Sequence, residues 1–247
     1  MSSRRKISSF ATTIIALSVL YATAPVFAVV PTYVQGSTAV DVSWPHGNCH
    51  AATKFLRPSA IIGANGGLDF RPNTCLRAEA ARFSNVSLYA NSGYPGRDYG
   101  LRFASTPKHC SRQDNVCLAY NWGFNAGVYA VTYAARQGVH ANQWWVDVET
   151  DNSWTTNPLY NRASIAGEVA GITHATLFAA VGIYSYPGQW DLITNNWRNG
   201  LPNWVATGSA SRQIATAECR GDNFTGGGTW LTQYVRTLDE DYVCQTH

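Results

Sequence analysis

The strongest constraint on the fold of this 247-residue chain is an alternation of short β-like and helix-like runs. TAVDVSW is followed by AATKFLR, SAIIGANG by CLRAEAARF, and VSLYANS, after an arginine-rich excursion, by LAYNWGFNAGVYAVTYAARQG. QWWVDVET then precedes PLYNRASIAGEVAGITHATLF, and AAVGIYSY precedes GQWDLIT. Parallel strands cannot be joined by tight turns, so this alternation predicts a parallel sheet with crossover helices. After NWVATG the helical signal fades, a glycine cluster appears, and TWLTQYV and EDYVC read as closing strands. The expected class is α/β: a TIM-like β/α barrel of five β/α units followed by three strands with few helices.

The N-terminus reads as an export signal. Arg4, Arg5 and Lys6 precede the apolar run ATTIIALSVLYA, and Ala28 with Val26 two residues before it suits signal peptidase. Residues 1–28 are therefore expected to be removed, leaving 29–247 as a single secreted barrel domain without interrupting linker or repeat. The whole chain has 18 Lys plus Arg and 15 Asp plus Glu. The signal segment holds three of the cations and no acid, so 15 of each remain. That balance gives no reason to expect nucleic acid as a partner, and no second apolar run is long enough to span a bilayer.

Six cysteines in an exported chain suggest three bridges. Pairing by sequence proximity gives Cys49 with Cys75, Cys110 with Cys117 and Cys219 with Cys244, though the sequence alone leaves other connectivities open. His46, Cys49 and His50 in HGNCH lack the two-pair spacing of a zinc site, so no metal and no cofactor is expected.

One strand carries chemistry. In WWVDVETDNSW the valines Val146 and Val148 share one face, while Asp147 and Glu149 share the other with Cα atoms about 6.5 Å apart. Two like charges side by side in an apolar strand are costly and raise at least one pKa, which suits an acid catalyst. TAVDVSWP repeats the design, with Asp41 between Val40 and Val42 near the end of the first strand. The C-terminal end of barrel strands is the active-site end. No G-x-S-x-G elbow supports a serine hydrolase.

These pieces, in order, resemble the lysozymes of glycoside hydrolase family 25: VDVSWPHG, VDVET, VGIYSYPGQW, NWVATG, and TWLTQYV followed by LDEDYV. The resemblance implies cleavage of peptidoglycan glycan between N-acetylmuramic acid and N-acetylglucosamine, with retention of configuration. It makes Glu149 the general acid, Asp147 its partner, Asp41 the first-strand acid and Asp239 the last-strand acid, with Asp241 competing for that last role. If the substrate's own N-acetyl group is the nucleophile, Asp147 orients it. Two strands depart from the family pattern: IIGANGG lacks a Lys-x-x-Glu and LYANSG lacks a Tyr-His pair. The arginine-rich segment from Tyr94 to Cys117 is also unlike compact members.

Nine tryptophans and thirteen tyrosines offer flat faces to sugar rings, although most belong in a core. Tyr89, Tyr184, Trp204 and Gln233 are the expected sugar contacts. Trp122, Tyr129 and Tyr133, at helical spacing, read as core, and His174 as a satisfied or surface histidine. The alternatives to a wall glycosidase are a barrel that binds wall polysaccharide without cleaving it and, more remotely, an amidase or deacetylase acting on the same polymer.

Overall fold

A computed structural model describes residues 33–42, 49, 58–221, 223–236 and 239–245. The expected signal segment, the first helix-like run AATKFLR and most of HGNCH lie outside these residues. Nine strands follow in order: β1 (Thr38–Val42), β2 (Ser59–Gly66), β3 (Arg71–Pro72), β4 (Asn85–Asn91), β5 (Gln143–Asp147), β6 (Ala180–Ser185), β7 (Asn203–Ala206), β8 (Thr229–Val235) and β9 (Asp239–Val243). Six helices are interleaved: α1 (Leu76–Ala80), α2 (Arg97–Gly100), α3 (Asn115–Arg136), α4 (Pro158–Thr176), α5 (Pro187–Thr194) and α6 (Arg212–Glu218).

Eight of the strands close a barrel, because β1 pairs with β2 on one side and β9 on the other. The two-residue β3 only folds back on the end of β2. Seven barrel strands run parallel, and β9 runs antiparallel to both β8 and β1. This reversal brings the start of β9 to the same rim as the C-terminal ends of the other seven. From β2 onward the alternating β/α reading is realised, with one difference: the strand NWVA is also followed by a helix, α6. Its start is fixed by Ser211, whose hydroxyl accepts from the Ile214 amide.

The strands bury both faces, as parallel strands under helices must. Valines and isoleucines of β1, β2, β5 and β6 meet the helices in one large cluster, whereas Ala39, Ile61, Tyr89, Trp145, Trp204, Leu231 and Val243 fill the barrel itself. Tyr33 plugs the lower end, its hydroxyl donating to the Ala60 carbonyl and sharing a hydrogen bond with Ser87. All three disulfides join sequence-near cysteines as expected: Cys49–Cys75, Cys110–Cys117 and Cys219–Cys244. Cys49 is therefore taken by a disulfide and is no metal ligand.

The longest helices, α3 and α4, start at polar caps. Asp114 accepts from the Cys117 amide, and Asn157 accepts from the Leu159 amide beside Pro158, which has no N–H and needs no acceptor. They cross at unusually short range because each carries glycines four residues apart, Gly123 and Gly127 facing Gly167 and Gly171. A Cβ on Gly167 would stand 2.0 Å from the Tyr120 carbonyl oxygen, and one on Gly123 1.9 Å from that of Ser164. Both obstacles are backbone, so neither can swing aside. We expect Gly167→Ala to force the helices apart and cost about 3 kcal/mol, the upper range for overpacking, measured by urea unfolding. Wild-type stability in that variant would contradict the packing described.

Two sequence expectations are refined here. Trp122 is buried, but Tyr129 is 38% exposed and belongs only in part to the core. His174 is an exposed residue whose ring packs on Phe124.

Candidate active site

The acids meet at the rim where the parallel strands end. Asp147 is the last residue of β5 and only 4% exposed. Strand parity continues past it, since the Val148 amide donates to the Tyr184 carbonyl of β6. Glu149, two residues on, shares the inward side and is only partly buried. Its backbone is tied down: the Asn152 amide and the Trp154 indole N–H donate to the Glu149 carbonyl at 3.1 and 2.8 Å. Thr150 donates through both its amide and hydroxyl to Gln189 Oε1 on α5, and Ser185 Oγ donates to the Val148 carbonyl.

Asp147 Oδ2 accepts from Asn91 Nδ2 at 2.8 Å, with Asn91 directly beside it at the end of β4. Asp41 Oδ2 accepts from Gln233 Nε2 at 2.9 Å, and Gln233 Oε1 accepts from the Tyr184 hydroxyl at 2.8 Å. Asp241 is fully buried one layer below, with Trp204 Nε1 donating to its Oδ1 at 2.7 Å. Because β9 runs antiparallel, Asp239 lies nearer the rim than Asp241.

Every one of these acids is held toward its protonated form. Burial raises Asp41 well above the ordinary carboxylate range, followed by the charges of Asp239 and Glu149, with the Gln233 amide opposing. Burial likewise raises Asp147 well above that range, then Glu149, Asp41 and Glu168. Asp241 is raised by burial and Asp41 against the Trp204 hydrogen bond, and Asp239 by burial. Glu149 is raised first by burial and then by Asp151 and Asp239. The like charges of Asp147 and Glu149 oppose each other's ionisation, and Asp151 and Asp239 add to the burden on Glu149.

The structure thus gathers Asp41, Asp147, Glu149 and Asp239 at one end of the barrel. Tyr184, partly buried, joins them at the rim. Tyr89 and Trp204, 6% and 1% exposed, pack edge to face in the barrel interior, and Gln233 is 5% exposed. Gln233 and Trp204 hold Asp41 and Asp241 from below, and Tyr89 packs against Trp204. Asn91 was missed by the sequence reading, although its parity with Tyr89 on an inward-facing strand was a usable signal. So was Glu168, a buried glutamate of α4 pushed up to about 8 by burial. Among the described residues no group of three or more His, Cys, Asp or Glu could hold a metal ion.

Solved structures share this architecture. The multimodular pneumococcal cell-wall endolysin from phage Cp-1, in complex with choline, superposes with a TM-score of 0.56 at 16% identity, over 87% of this chain and 56% of that one. The shared fold is a TIM-like β/α barrel. The modular Cpl-1 endolysin in complex with a peptidoglycan analogue gives 0.52 at 14% identity, over 87% and 56%. The bacterial lysozyme from Streptomyces coelicolor gives 0.52 at 15% identity, over 85% of this chain and 92% of that one. The chain spans little more than half the length of the endolysins. No protein-family model and no curated protein matches the sequence. At these identities the likeness is one of fold.

Proposed function

We propose that this protein is an exported glycosidase that cleaves peptidoglycan glycan strands in the manner of a lysozyme. The observation that carries the reading is the pairing at the end of β5. Asp147 is buried and held by the Asn91 amide, while Glu149 lies two residues nearer solvent, and both carboxyls are raised by burial. Glycoside hydrolysis needs a protonated acid at the leaving oxygen and a second group that stabilises the positive sugar centre or orients a nucleophile. Glu149, the more accessible, is the acid. Asp147 orients the substrate's N-acetyl group as nucleophile, giving retention, and Asp41 and Asp239 shape the charge around the sugar. Tyr184 is the sugar contact at the rim, with Tyr89, Trp204 and Gln233 fixing the acids beneath. Residues 1–28 act as the signal peptide of a single barrel domain, an assignment that fits three disulfides and the absence of a membrane-crossing helix among the described residues.

The test is a suspension of purified bacterial wall. The enzyme lowers its turbidity and releases new reducing ends. Release of free amines instead would assign an amidase or deacetylase, and co-sedimentation with an intact wall would assign a binding barrel.

A further inference from the structure

Glu168 is a carboxyl group that the catalytic reading leaves unused, and it sits in an uncommon place. It is 1% exposed, in the middle of α4, where the glycine face of α3 crosses. A Cβ on Gly127 would meet the Glu168 carbonyl oxygen at 2.4 Å, and one on Gly123 would meet its amide nitrogen at 2.9 Å. The helix is thus sunk against α3, which leaves the Glu168 side chain enclosed. One turn earlier on the same face, Ser164 Oγ donates to the Gly93 carbonyl just beyond β4, an oxygen that also accepts from Trp122 Nε1. Glu168 therefore lies under the segment Asn91–Ser92–Gly93, whose first residue holds Asp147 and whose second donates its amide to the Asp147 carbonyl at 2.9 Å.

Among the described residues no cation answers this carboxyl. Between Asn115 and Ala135, α3 has no charged residue. On α4, Arg162 is turned to the carbonyls of Thr194 and Asn195, and His174 is exposed against Phe124. From β5 the nearest charge is Asp147, another acid, and beyond β4 the neighbouring side chain is the neutral Ser92. Ser92 Oγ lies near enough to the Glu168 carboxyl to interact with it, while Asn91 Oδ1 and Asp147 Oδ1 are buried without a hydrogen-bond partner among the described residues. Apart from the Ser92 hydroxyl, every one of these atoms can only accept while the acids are ionised. The Ser92 hydroxyl brings one hydrogen to these acceptors, and a protonated Glu168 brings a second.

We propose that Glu168 is a positioning residue for the acid pair: a neutral carboxylic acid whose O–H holds the Ser92 end of β4, and through it the Asn91 amide, on Asp147. It does not touch substrate. A charge on it would face Asp147 through this joint, so the side chain must remain neutral for Asp147 to keep its place. Its preference for the protonated form, up to about pH 8, agrees with that requirement.

The proposal rests on the assignment of Asp147 to the site, but its test does not depend on wall hydrolysis. The Asp147 carboxyl is followed by carbon-13 NMR across pH 4–9 in the full chain, in wild type, Glu168→Gln and Glu168→Leu, alongside kcat and KM on wall where hydrolysis is found. Gln keeps a neutral donor and should restore the wild-type Asp147 titration, with kcat within threefold at pH 6. Leu fills the space without a donor and should move the Asp147 midpoint by half a unit or more and lower kcat at least tenfold, with KM little changed. An Asp147 titration in Glu168→Leu that superposes on wild type would overturn the proposal. So would a Gln variant that behaves like Leu. A wild type inactive on wall would sink the proposed function, while the Asp147 titration would still decide the role of Glu168.

Discussion

Glu149→Gln is expected to lower kcat on wall about 100-fold or more while leaving wall binding within a few-fold of wild type, measured by reducing-end release and co-sedimentation. The amide keeps the shape of the side chain but cannot deliver a proton to the leaving oxygen, so the loss falls on the transition state. Asp147→Asn should show a comparable drop, because a neutral amide beside the Asn91 amide can neither orient an acetamido group as a base nor stabilise a positive ring. The last-strand acids should divide by depth. Asp239, at the rim where its charge raises the Glu149 pKa, should matter more than Asp241, which is buried and engaged by the Trp204 indole. Wild-type turnover in Glu149→Gln would remove the acid from the mechanism outright.

The parts of this arrangement legible in the sequence are those written in local periodicity. Two-residue spacing put Asp147 and Glu149 on one face before any partner was known. The β/α alternation gave the barrel. Partnerships across strands were not legible, because they depend on register that no single strand encodes. Asn91 reaches Asp147 only because β4 pairs in parallel with Asn91 opposite it. Gly66 could be read only as a strand-end glycine. In the barrel a Cβ there would stand 2.6 Å from that of Asn91, so the glycine makes room for the residue that holds Asp147. The short α6 escaped because seven residues of mixed polarity carry little periodic signal. Glu168 looked like an ordinary polar position in a helix. The clue was its setting in GEVAG: small residues on both sides mean a close helix crossing, and a glutamate in such a stripe is buried with it.

The second large effect concerns stability, and its sign follows from the same buried acids. Asp147, Asp241 and Glu168 all have folded pKa values raised above those of the unfolded chain, where carboxyls titrate near 4. Between that value and the folded pKa, the folded state holds protons that the unfolded state has released. Stability is then fully present below about pH 4 and falls as pH rises. For Glu168, raised from 4.5 to about 8, the loss by pH 8 is on the order of 4 kcal/mol at about 1.4 kcal/mol per unit. Little opposes it: among the described residues the ion pairs Arg97–Asp98 and Arg102–Asp69 are exposed, where such pairs contribute little. Urea unfolding at pH 5, 6.5 and 8 should therefore show stability declining across the series, and Glu168→Gln should flatten much of the decline. Asp147→Asn should be more stable than wild type at pH 7 while hydrolysing wall far more slowly, since the strain of holding that carboxylate is what the chemistry uses. Stability that is constant or rising from pH 5 to pH 8 would mean that the acids ionise in the folded barrel as readily as in the unfolded chain, and the electrostatic account of the site would fall with it.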